Sequence, residues 1–302
     1  MQTLKQVKVL LAVVAMAGFG FFASCSKDRV EPEQTQKNSY ESSDDYFNAN
    51  KPAEQDFVIT QDGPGPIVGN MGTKVWAAKE KLMFANGDSV HYPYTVKLVE
   101  LYTPKDLIYY QMPSTSGLTL LTTAGEVRVR AFKDSQELVL RPTMTWTVEI
   151  PNAAPIANML TYYGAESGTT VNWVNTPVGN FTVTSYGYTG DIAQLGWVNC
   201  GKATPAPATA TYTIGSTTDN LDNVAKFLYF PNLKSLKQVT SQTASNLPVG
   251  ESVKIILIGI SSGSPYTYYS NITVAHDSTF DVSLTASSDA ALTSLLDGLG
   301  GL

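Results

Sequence analysis

The string Gly259-Ile260-Ser261-Ser262-Gly263 has the G-x-S-x-G spacing of a serine-hydrolase nucleophile elbow, and it follows an apolar, strand-like run. In such hydrolases the elbow leads into a helix, and an acid and then a histidine follow the serine along the chain. Here the string leads to Pro265 and a second strand-like run, and no carboxylate lies between Ser261 and His276, the only later histidine. The pattern therefore predicts a hairpin turn, not a nucleophile.

Metal-binding chemistry has little support in the sequence. The two histidines, His91 and His276, are far apart and neither has a second imidazole nearby, as a zinc site would require. The stretch from Asp219 to Asn223 offers several oxygens to calcium, but it lacks the glycine and terminal glutamate of an EF-hand loop. We interpret it as a polar turn, and we expect neither a metal site nor a cofactor.

Three glutamates, Glu100, Glu126 and Glu149, lie in strand-like runs and are candidates for the paired carboxylates of a glycan-processing enzyme. Each occupies an outward position in its alternating pattern, which predicts a solvated sheet face. We therefore expect no catalytic residue and a protein that is not an enzyme. The carboxylate-based enzyme remains the alternative, because acids that are distant in sequence can converge in a fold.

Aromatic side chains offer a different chemistry, which is stacking on the apolar faces of sugar rings. The run after Pro265 contains Tyr266, Tyr268 and Tyr269, and these three are the candidate ligand-binding residues. Tyrosine combines a large apolar ring with a polar hydroxyl, so the same residues can instead fill a sandwich core. Both interpretations require a β-sheet to position the rings.

Cys25 is the residue most diagnostic of location. It follows a basic start that includes Lys5 and Lys8, and an apolar run from Val9 to Ala23. At about 1.5 Å per residue this run spans about 22 Å, less than the roughly 30 Å of a bilayer core, so it is typical of a cleaved signal. We predict that residues 1–24 are a lipoprotein signal peptide, that Cys25 is lipidated, and that the protein is anchored in the outer membrane or at the cell surface.

Charge and cysteine content exclude two classes of protein. The chain has 20 Lys and Arg against 26 Asp and Glu, with scattered basic residues, whereas a nucleic-acid-binding protein needs a basic patch. We therefore expect no nucleic-acid partner. If Cys25 carries lipid, Cys200 has no cysteine left to pair with, which excludes an internal disulfide framework. Its apolar neighbours predict a buried free thiol.

Composition also predicts the domain organisation. Residues 25–56 contain almost no aliphatic side chains, which predicts a flexible tether. Two prolines in Pro151-Asn152-Ala153-Ala154-Pro155 predict a boundary, because proline is not tolerated inside a central strand. The expected organisation is an N-terminal β domain over residues 57–151 and a C-terminal β domain with a terminal helix over residues 152–302.

Hydrophobic periodicity predicts the fold class. Runs such as Tyr94 to Tyr102 alternate between apolar and polar residues, which is typical of antiparallel sheet, and Lys254 to Ile260 is apolar on both faces, as in a central strand. Thr103 can cap a short helix, and Ser287 or Ser288 can cap a helix near the C-terminus. We predict an all-β fold of two antiparallel β-sandwich-like domains, with one short internal helix and a short C-terminal helix.

Several segments resemble a group of uncharacterised secreted lipoproteins of Bacteroidetes that carry a ZU5-like β module ahead of a second β domain. The resemblance rests on segments such as Gly72-Thr73-Lys74-Val75, Gly196-Trp197-Val198-Asn199-Cys200 and Leu247-Pro248-Val249-Gly250. It implies architecture and location and gives no activity. Together with the residues above, it leads us to expect a lipid-anchored adhesion or binding module for glycan or protein.

Overall fold

Over the residues that the structure describes, the chain is mostly β-strand and has three short helices. The computed structural model describes residues 39–167 and 170–302, without the side chains of residues 167, 170 and 176–178. Asn38–Leu302 forms one compact unit. The predicted signal peptide, Cys25 and the tether up to residue 38 lie outside the described residues.

The helices are α1 (Ser43–Asn50), α2 (Pro104–Tyr109) and α3 (Asp289–Asp297). Short 3-10 turns lie at Lys79–Lys81 and Pro231–Leu233. The strands are β1 (Gln55–Ile59), β2 (Ile67–Val68), β3 (Lys74–Trp76), β4 (Leu82–Phe84), β5 (Tyr94–Leu101), β6 (Thr115–Ser116), β7 (Thr119–Lys133), β8 (Gln136–Leu140), β9 (Trp146–Pro151), β10 (Met159–Ser167), β11 (Thr170–Val183), β12 (Gly187–Ile192), β13 (Gly196–Ala203), β14 (Thr209–Gly215), β15 (Ala225–Phe230), β16 (Ser235–Gln238), β17 (Thr243–Pro248), β18 (Ser252–Ser261), β19 (Ser264–Thr273), β20 (Ser278–Asp281) and β21 (Thr285–Ala286). The all-β prediction is confirmed.

The first sandwich is built from one long path of paired strands, in the order β1-β5-β7-β13-β10-β11-β12-β9-β3-β2. The long strand β11 belongs to both halves, because one part of it pairs with β10 and its end pairs with β12. Inward residues of both halves, such as Val96, Val129, Trp146 and Val148, form a single buried core. The path therefore folds over into two facing sheets.

The second sandwich pairs a five-stranded sheet, β16-β15-β18-β19-β21, with a three-stranded sheet, β17-β14-β20. Its core contains Ile255 and Leu257 of β18 together with Tyr212 and Ile214 of β14. Strand β18 is buried on both faces, as its uniformly apolar sequence predicts. The pairing of β14 with β20 is parallel, so the prediction of antiparallel sheet is wrong for this pair.

A layer of helices joins the two sandwiches, and we call it the helix layer. One buried apolar cluster contains Phe47 of α1, Leu107 of α2 and Leu292 of α3, together with Leu101 of the first sandwich and Ile256 of the second. The outer faces of β5 and β18 are therefore both covered. Burying apolar surface contributes about 25 cal/mol of stabilisation for each Å² removed from water. Separating the two sandwiches would expose this shared core, so the core couples them.

The predicted helix caps are confirmed. The Thr103 hydroxyl accepts a hydrogen bond from the Asp106 N–H, and the Asp106 carboxylate accepts one from the Thr103 N–H, which together form a capping box around Pro104. At the C-terminus, Ser288 accepts the Ala291 N–H at 3.2 Å. Both signals are local in sequence, so they do not depend on the fold around them.

The predicted tether is wrong for its second half. Tyr46 and Phe47 of α1 are 0% and 1% exposed, and the Phe47 ring lies 5.9 Å from the Phe227 ring. The segment has few aliphatic residues, but its three aromatic residues, Tyr40, Tyr46 and Phe47, bury enough apolar surface to order it. The folded part therefore includes residues 39–56.

The strand pairing also crosses the predicted boundary at residue 151. Strand β12 pairs with β9 from Gly187↔Pro151 to Ile192↔Trp146, and β13 pairs with β7. Pro151 is the last residue of β9 and lies beyond the part of β9 that pairs with β3, so one side of it is a sheet edge, where proline is tolerated. The change from the first to the second sandwich lies instead between β13 and β14.

Candidate functional site

The G-x-S-x-G string lies at the tip of a β-hairpin, as predicted. Ser261 at the end of β18 pairs with Ser264 at the start of β19. Between them, Ser262 and Gly263 have φ angles of 49° and 79°, which fit a tight two-residue hairpin turn. No helix follows the serine, so this segment lacks the geometry of a nucleophile elbow.

The three candidate tyrosines of β19 do not share one surface. Tyr268 packs against the core of the second sandwich, and Tyr266 lies on the same face of the strand. Tyr269 points to the other face and is 42% exposed. A single ligand stacked on one sheet face therefore cannot contact all three rings.

Glu100 was predicted on a solvated face, but it is only 3% exposed, so that prediction is wrong. Its carboxylate accepts hydrogen bonds from the Gln55 side chain at 2.8 Å and from the backbone N–H groups of Met71 and Thr73 at 2.9 and 2.8 Å. A Cβ at Gly69 would lie 2.5 Å from this carboxylate, so only glycine allows the close approach. Glu100 therefore fixes the loop between β2 and β3.

Glu126 is fully buried, and the prediction of a solvated position is wrong for it too. Oε1 accepts hydrogen bonds from Ser114 Oγ at 3.0 Å and from Asn199 Nδ2 at 3.1 Å, whereas Oε2 has no partner among the described residues. Burial raises the pKa of Glu126 well above its ordinary value, and the Ser114 hydrogen bond offsets this only in part. The buried carboxyl group therefore favours its neutral form.

Glu149 lies on the outer face of β9, where it organises its neighbours. It accepts hydrogen bonds from Lys74 Nζ at 3.0 Å and from Trp76 Nε1 at 2.7 Å. Partial burial favours a higher pKa, but the hydrogen bonds from Trp76 and Lys74 outweigh it and hold the pKa of Glu149 below its ordinary value. Glu149 is thus a charged acceptor that fixes the indole ring of Trp76.

The three glutamates cannot act together on one substrate. Glu100 pairs across the sheet with Val127, whose side chain belongs to the first sandwich core. Glu126 pairs with Leu101, whose side chain packs against the helix layer. Cross-strand partners share a face, so these two carboxylates lie on opposite faces of the sheet. Glu149 lies on a different sheet, facing away from the core. The paired-carboxylate geometry of a glycosidase is absent from these three residues.

An open face of the first sandwich brings together the groups that suit a ligand, and we call it the Trp76 face. It consists of the outward side chains of β3, β9 and β12, which are Lys74, Trp76, Thr147, Glu149, Thr189 and Asp191. The pairing Trp76↔Thr147↔Asp191 runs across one row, and Lys74↔Glu149↔Thr189 runs across the next. Three adjacent strands therefore present an open polar surface with one indole at the end of a row.

Trp76 is the exposed aromatic residue of this face. It is 41% exposed, although the hydrogen bond to Glu149 holds its ring in place. Tyr186 borders the face, with Lys74 Nζ lying 3.5 Å from its ring centroid and its hydroxyl donating to the Gly72 carbonyl. A ring that stays exposed and is held rigid loses little conformational entropy on binding a ligand.

Sequence reasoning missed Trp76 as a site residue. Its strand is only three residues long, so periodicity gives no reliable face. The one available signal is a spacing: Lys74 and Trp76 are two residues apart, so they lie on the same face of any strand. Whether that face is covered depends on pairing with β9, which is 70 residues away in sequence.

A second polar surface is a cleft of about 400 Å³ near Trp197, lined by Arg128, Arg130 and Glu137. Arg130 forms a two-point contact with Glu137, with Nε to Oε1 at 2.7 Å, and Arg128 contacts Glu54 at 3.1 Å. Both guanidinium groups therefore already have carboxylate partners. This cleft presents charged groups that are already paired, whereas the Trp76 face presents an exposed aromatic ring.

The predicted polar turn at Asp219 to Asn223 uses its side chains to shape the backbone. The Asn220 side-chain oxygen Oδ1 accepts a hydrogen bond from the Asp222 N–H at 2.8 Å, and the Asp219 carboxylate accepts one from the Leu284 N–H at 2.9 Å. Within residues 39–167 and 170–302, no three His, Cys, Asp or Glu residues are grouped so that they could hold a metal ion. The turn's oxygens thus serve the loop itself.

Cys200 is buried in the first sandwich core, as the sequence predicts. Burial raises the pKa of its thiol well above the usual value, so the nucleophilic thiolate is disfavoured. The position of Cys25 is not described, so its lipidation stays a prediction.

No protein-family model matches this chain, and no curated protein matches it either. Among the helices of the described ranges, none is both long enough and apolar enough to cross a bilayer. The resemblance to ZU5-like lipoproteins therefore stays a proposal.

Proposed function

We propose that this protein is a non-enzymatic binding module, anchored by lipid at Cys25, which holds an extended glycan chain on the Trp76 face. The observation that carries the proposal is the exposed indole of Trp76, fixed by Glu149 on a flat sheet surface. Aromatic rings contribute large amphipathic contact areas at a low entropy cost. An open sheet face with an exposed ring at one end of a polar row suits a chain of sugar units better than a compact small molecule.

The polar groups around Trp76 support a ligand rich in hydroxyl groups. Lys74 supplies a donor, and Glu149 on β9 and Asp191 on β12 supply acceptors on the same side of β3. Thr147 donates to the Asp191 carboxylate at 2.6 Å, so even the polar side chains are ordered by contacts with one another. Sugar hydroxyls both donate and accept hydrogen bonds, so they match this mixture of groups.

Location follows from Cys25 and its preceding apolar run. A single acyl chain holds a protein only marginally at a membrane, whereas two or more give stable anchoring. The proposal therefore places the folded part outside the cytoplasm, on the outer membrane or the cell surface. Residues 39–302 would meet their ligand there.

The anchoring part is tested by Cys25→Ala. We expect the variant to move from the membrane fraction to the soluble fraction, because the proposal assigns membrane attachment to the lipid alone. The measurement is membrane fractionation followed by a high-salt wash, with Cys200→Ala as the matched cysteine control. A Cys25→Ala protein that stays with membranes after the wash would contradict lipid anchoring.

The binding part is tested by electrophoresis of residues 38–302 through gels that contain neutral polysaccharides. We expect at least one polysaccharide to retard the wild type, and Trp76→Ala to lose most of that retardation. Tyr269→Ala is the matched control, because Tyr269 has the same exposure, 42% against 41%, but lies on the second sandwich. Equal retardation of wild type and Trp76→Ala on every retarding polysaccharide would overturn the proposed face.

A further inference from the structure

A separate cleft of about 330 Å³ lies at the edge of the second sandwich, beside the Tyr266 ring. Tyr266 and Ser261 line it from β19 and β18, and Asn220 and Asn223 line it from the loop that precedes β15. Its volume is at the lower end of the roughly 300–1,000 Å³ that small-molecule sites occupy. The cleft thus suits a ligand of one or two rings.

The floor of the cleft is apolar and is fixed by a glycine. Gly259 of β18 pairs directly with Tyr266 of β19. A Cβ at Gly259 would lie 3.0 Å from Val224 Cγ2 and 3.6 Å from Leu284 Cδ1, so these two side chains form the floor with it. An aromatic wall beside an apolar floor is the surface on which the C–H face of a sugar ring packs.

The rim of the cleft carries polar groups that the protein leaves unused. Within the described ranges, no hydrogen bond engages the Tyr266 hydroxyl, the Asn223 amide or the Ser261 hydroxyl. By contrast, Asn220 already accepts a hydrogen bond from Asp222 and so holds the loop in shape. Free donors and acceptors that converge on a preformed cleft are available to a ligand's hydroxyl groups.

The backbone around Tyr266 is not available to a peptide. Tyr266 pairs with Gly259 of β18 on one side and with Ala286 of β21 on the other. A peptide that adds itself as an extra strand needs an unpaired edge. Recognition in this cleft must therefore proceed through side chains.

The charge near the cleft selects against acidic ligands. Asp219 lines the cleft and Asp222 lies in the same loop. The nearby Lys226 is buried, and its Nζ donates to the Leu221 carbonyl, so it faces away from a ligand. An anionic sugar would meet carboxylates without a free cation to balance them.

We propose that the Tyr266 cleft is a second carbohydrate site, which binds a single neutral pyranose ring at the end of a glycan. Tyr266 stacks on the ring, and Asn223 and Ser261 bind its hydroxyl groups. The site is independent of the Trp76 face, which is on the other sandwich and would hold the middle of a chain.

The test titrates residues 38–302 with the methyl glycosides of glucose, galactose, mannose and N-acetylglucosamine, followed by saturation-transfer NMR. We expect at least one of these to bind, and both Tyr266→Ala and Asn223→Ala to weaken its binding by about tenfold or more. Asn223 is exposed, so its substitution should leave the fold intact. Tyr269→Ala, on the same strand and the opposite face, should bind as the wild type does.

Two outcomes would overturn the Tyr266 cleft as a site. One is that none of the four glycosides binds, and the other is that both variants bind as tightly as the wild type. The Trp76→Ala variant separates this proposal from the preceding one, because it should still bind the methyl glycoside. If instead Trp76→Ala abolishes that binding and Tyr266→Ala does not, single rings bind at the Trp76 face and the cleft is empty.

Discussion

The two sandwiches differ in where they keep their polar groups. The first buries two carboxylates: both oxygens of Glu100 accept hydrogen bonds, whereas only Oε1 of Glu126 does among the described residues. The second has a central strand, β18, that is apolar on both faces, and its free polar groups lie at the rim of the Tyr266 cleft. A buried carboxylate is costly unless it is hydrogen-bonded, so the hydrogen bonds that fix the loop before β3 also offset the burial of Glu100.

The difference explains how the Trp76 face becomes rigid. Glu100 accepts the N–H groups of Met71 and Thr73, which lie directly before β3. Strand β3 carries Lys74 and Trp76 to the surface, where Glu149 fixes them. A chain of hydrogen bonds therefore runs from a buried acid to an exposed ring. The second sandwich instead shapes its cleft with an Asx turn and a glycine.

The largest expected effect concerns the helix layer, which holds the two regions together. Phe47→Ala removes a fully buried ring that contacts Phe227 of the second sandwich, and we expect it to lower the free energy of unfolding by about 3–5 kcal/mol. Urea denaturation of residues 38–302 measures this loss, with Tyr269→Ala as an exposed aromatic control. A loss below about 1 kcal/mol would mean that α1 is not part of the core.

A smaller effect is expected inside the first sandwich. Cys200→Ser replaces a fully buried thiol with a hydroxyl that has no partner in the core, and we expect a cost of about 1–3 kcal/mol. In the folded wild type the thiol should react with a maleimide only as fast as the protein opens, because the thiolate is disfavoured. Fast labelling under native conditions would show that the thiol is accessible.

The two carboxylates Glu126 and Glu149 should shift stability with pH in opposite directions. The folded pKa of Glu126 is raised, so its contribution is fully present below the unfolded pKa and is lost as pH rises toward the folded pKa. The folded pKa of Glu149 is lowered, so its contribution is present above the unfolded pKa and is lost as pH falls through the folded pKa. The slope from one group is at most about 1.4 kcal/mol per pH unit.

Unfolding free energies measured from pH 3 to pH 8 test both signs. In the wild type, Glu126 should make the stability decline as pH rises above about 4.5, and Glu126→Gln should lack this decline. Glu149→Gln should remove a decline as pH falls below that value. If Glu126→Gln leaves the profile unchanged, the buried carboxyl group is not neutral in the folded protein.

Local signals carried most of what the sequence could predict. The strand from Tyr94, the uniformly apolar strand β18, and the caps at Thr103 and Ser288 all depend on neighbours within a few residues. Alternation failed for Glu100 and Glu126 because it assumes that one face of the sheet is wet. This sheet has the sandwich core on one face, where Glu100 lies, and the helix layer on the other, where Glu126 lies, so neither carboxylate is on a solvated face.

The remaining errors have similar causes. The turn that separates β11 from β12 has only a weak local signal, because Thr184 and Tyr186 both have good strand propensity. Only Gly187, with a φ of 137°, marks the turn. Predicting the Trp76 face from the sequence would require knowing which face of the sheet no other layer covers. That information comes from pairing between β3, β9 and β12, which no local pattern contains.

The most direct test of the Trp76 face uses the protein's own fluorescence. Of its four tryptophans, Trp146, Trp173 and Trp197 are at most 5% exposed and Trp76 is 41% exposed, so iodide should quench essentially only Trp76. We predict that the polysaccharide that retards the protein in gels protects Trp76 from iodide, and that Trp76→Phe shows little quenching with or without it. Unchanged iodide quenching in the wild type at saturating polysaccharide would contradict binding at this face.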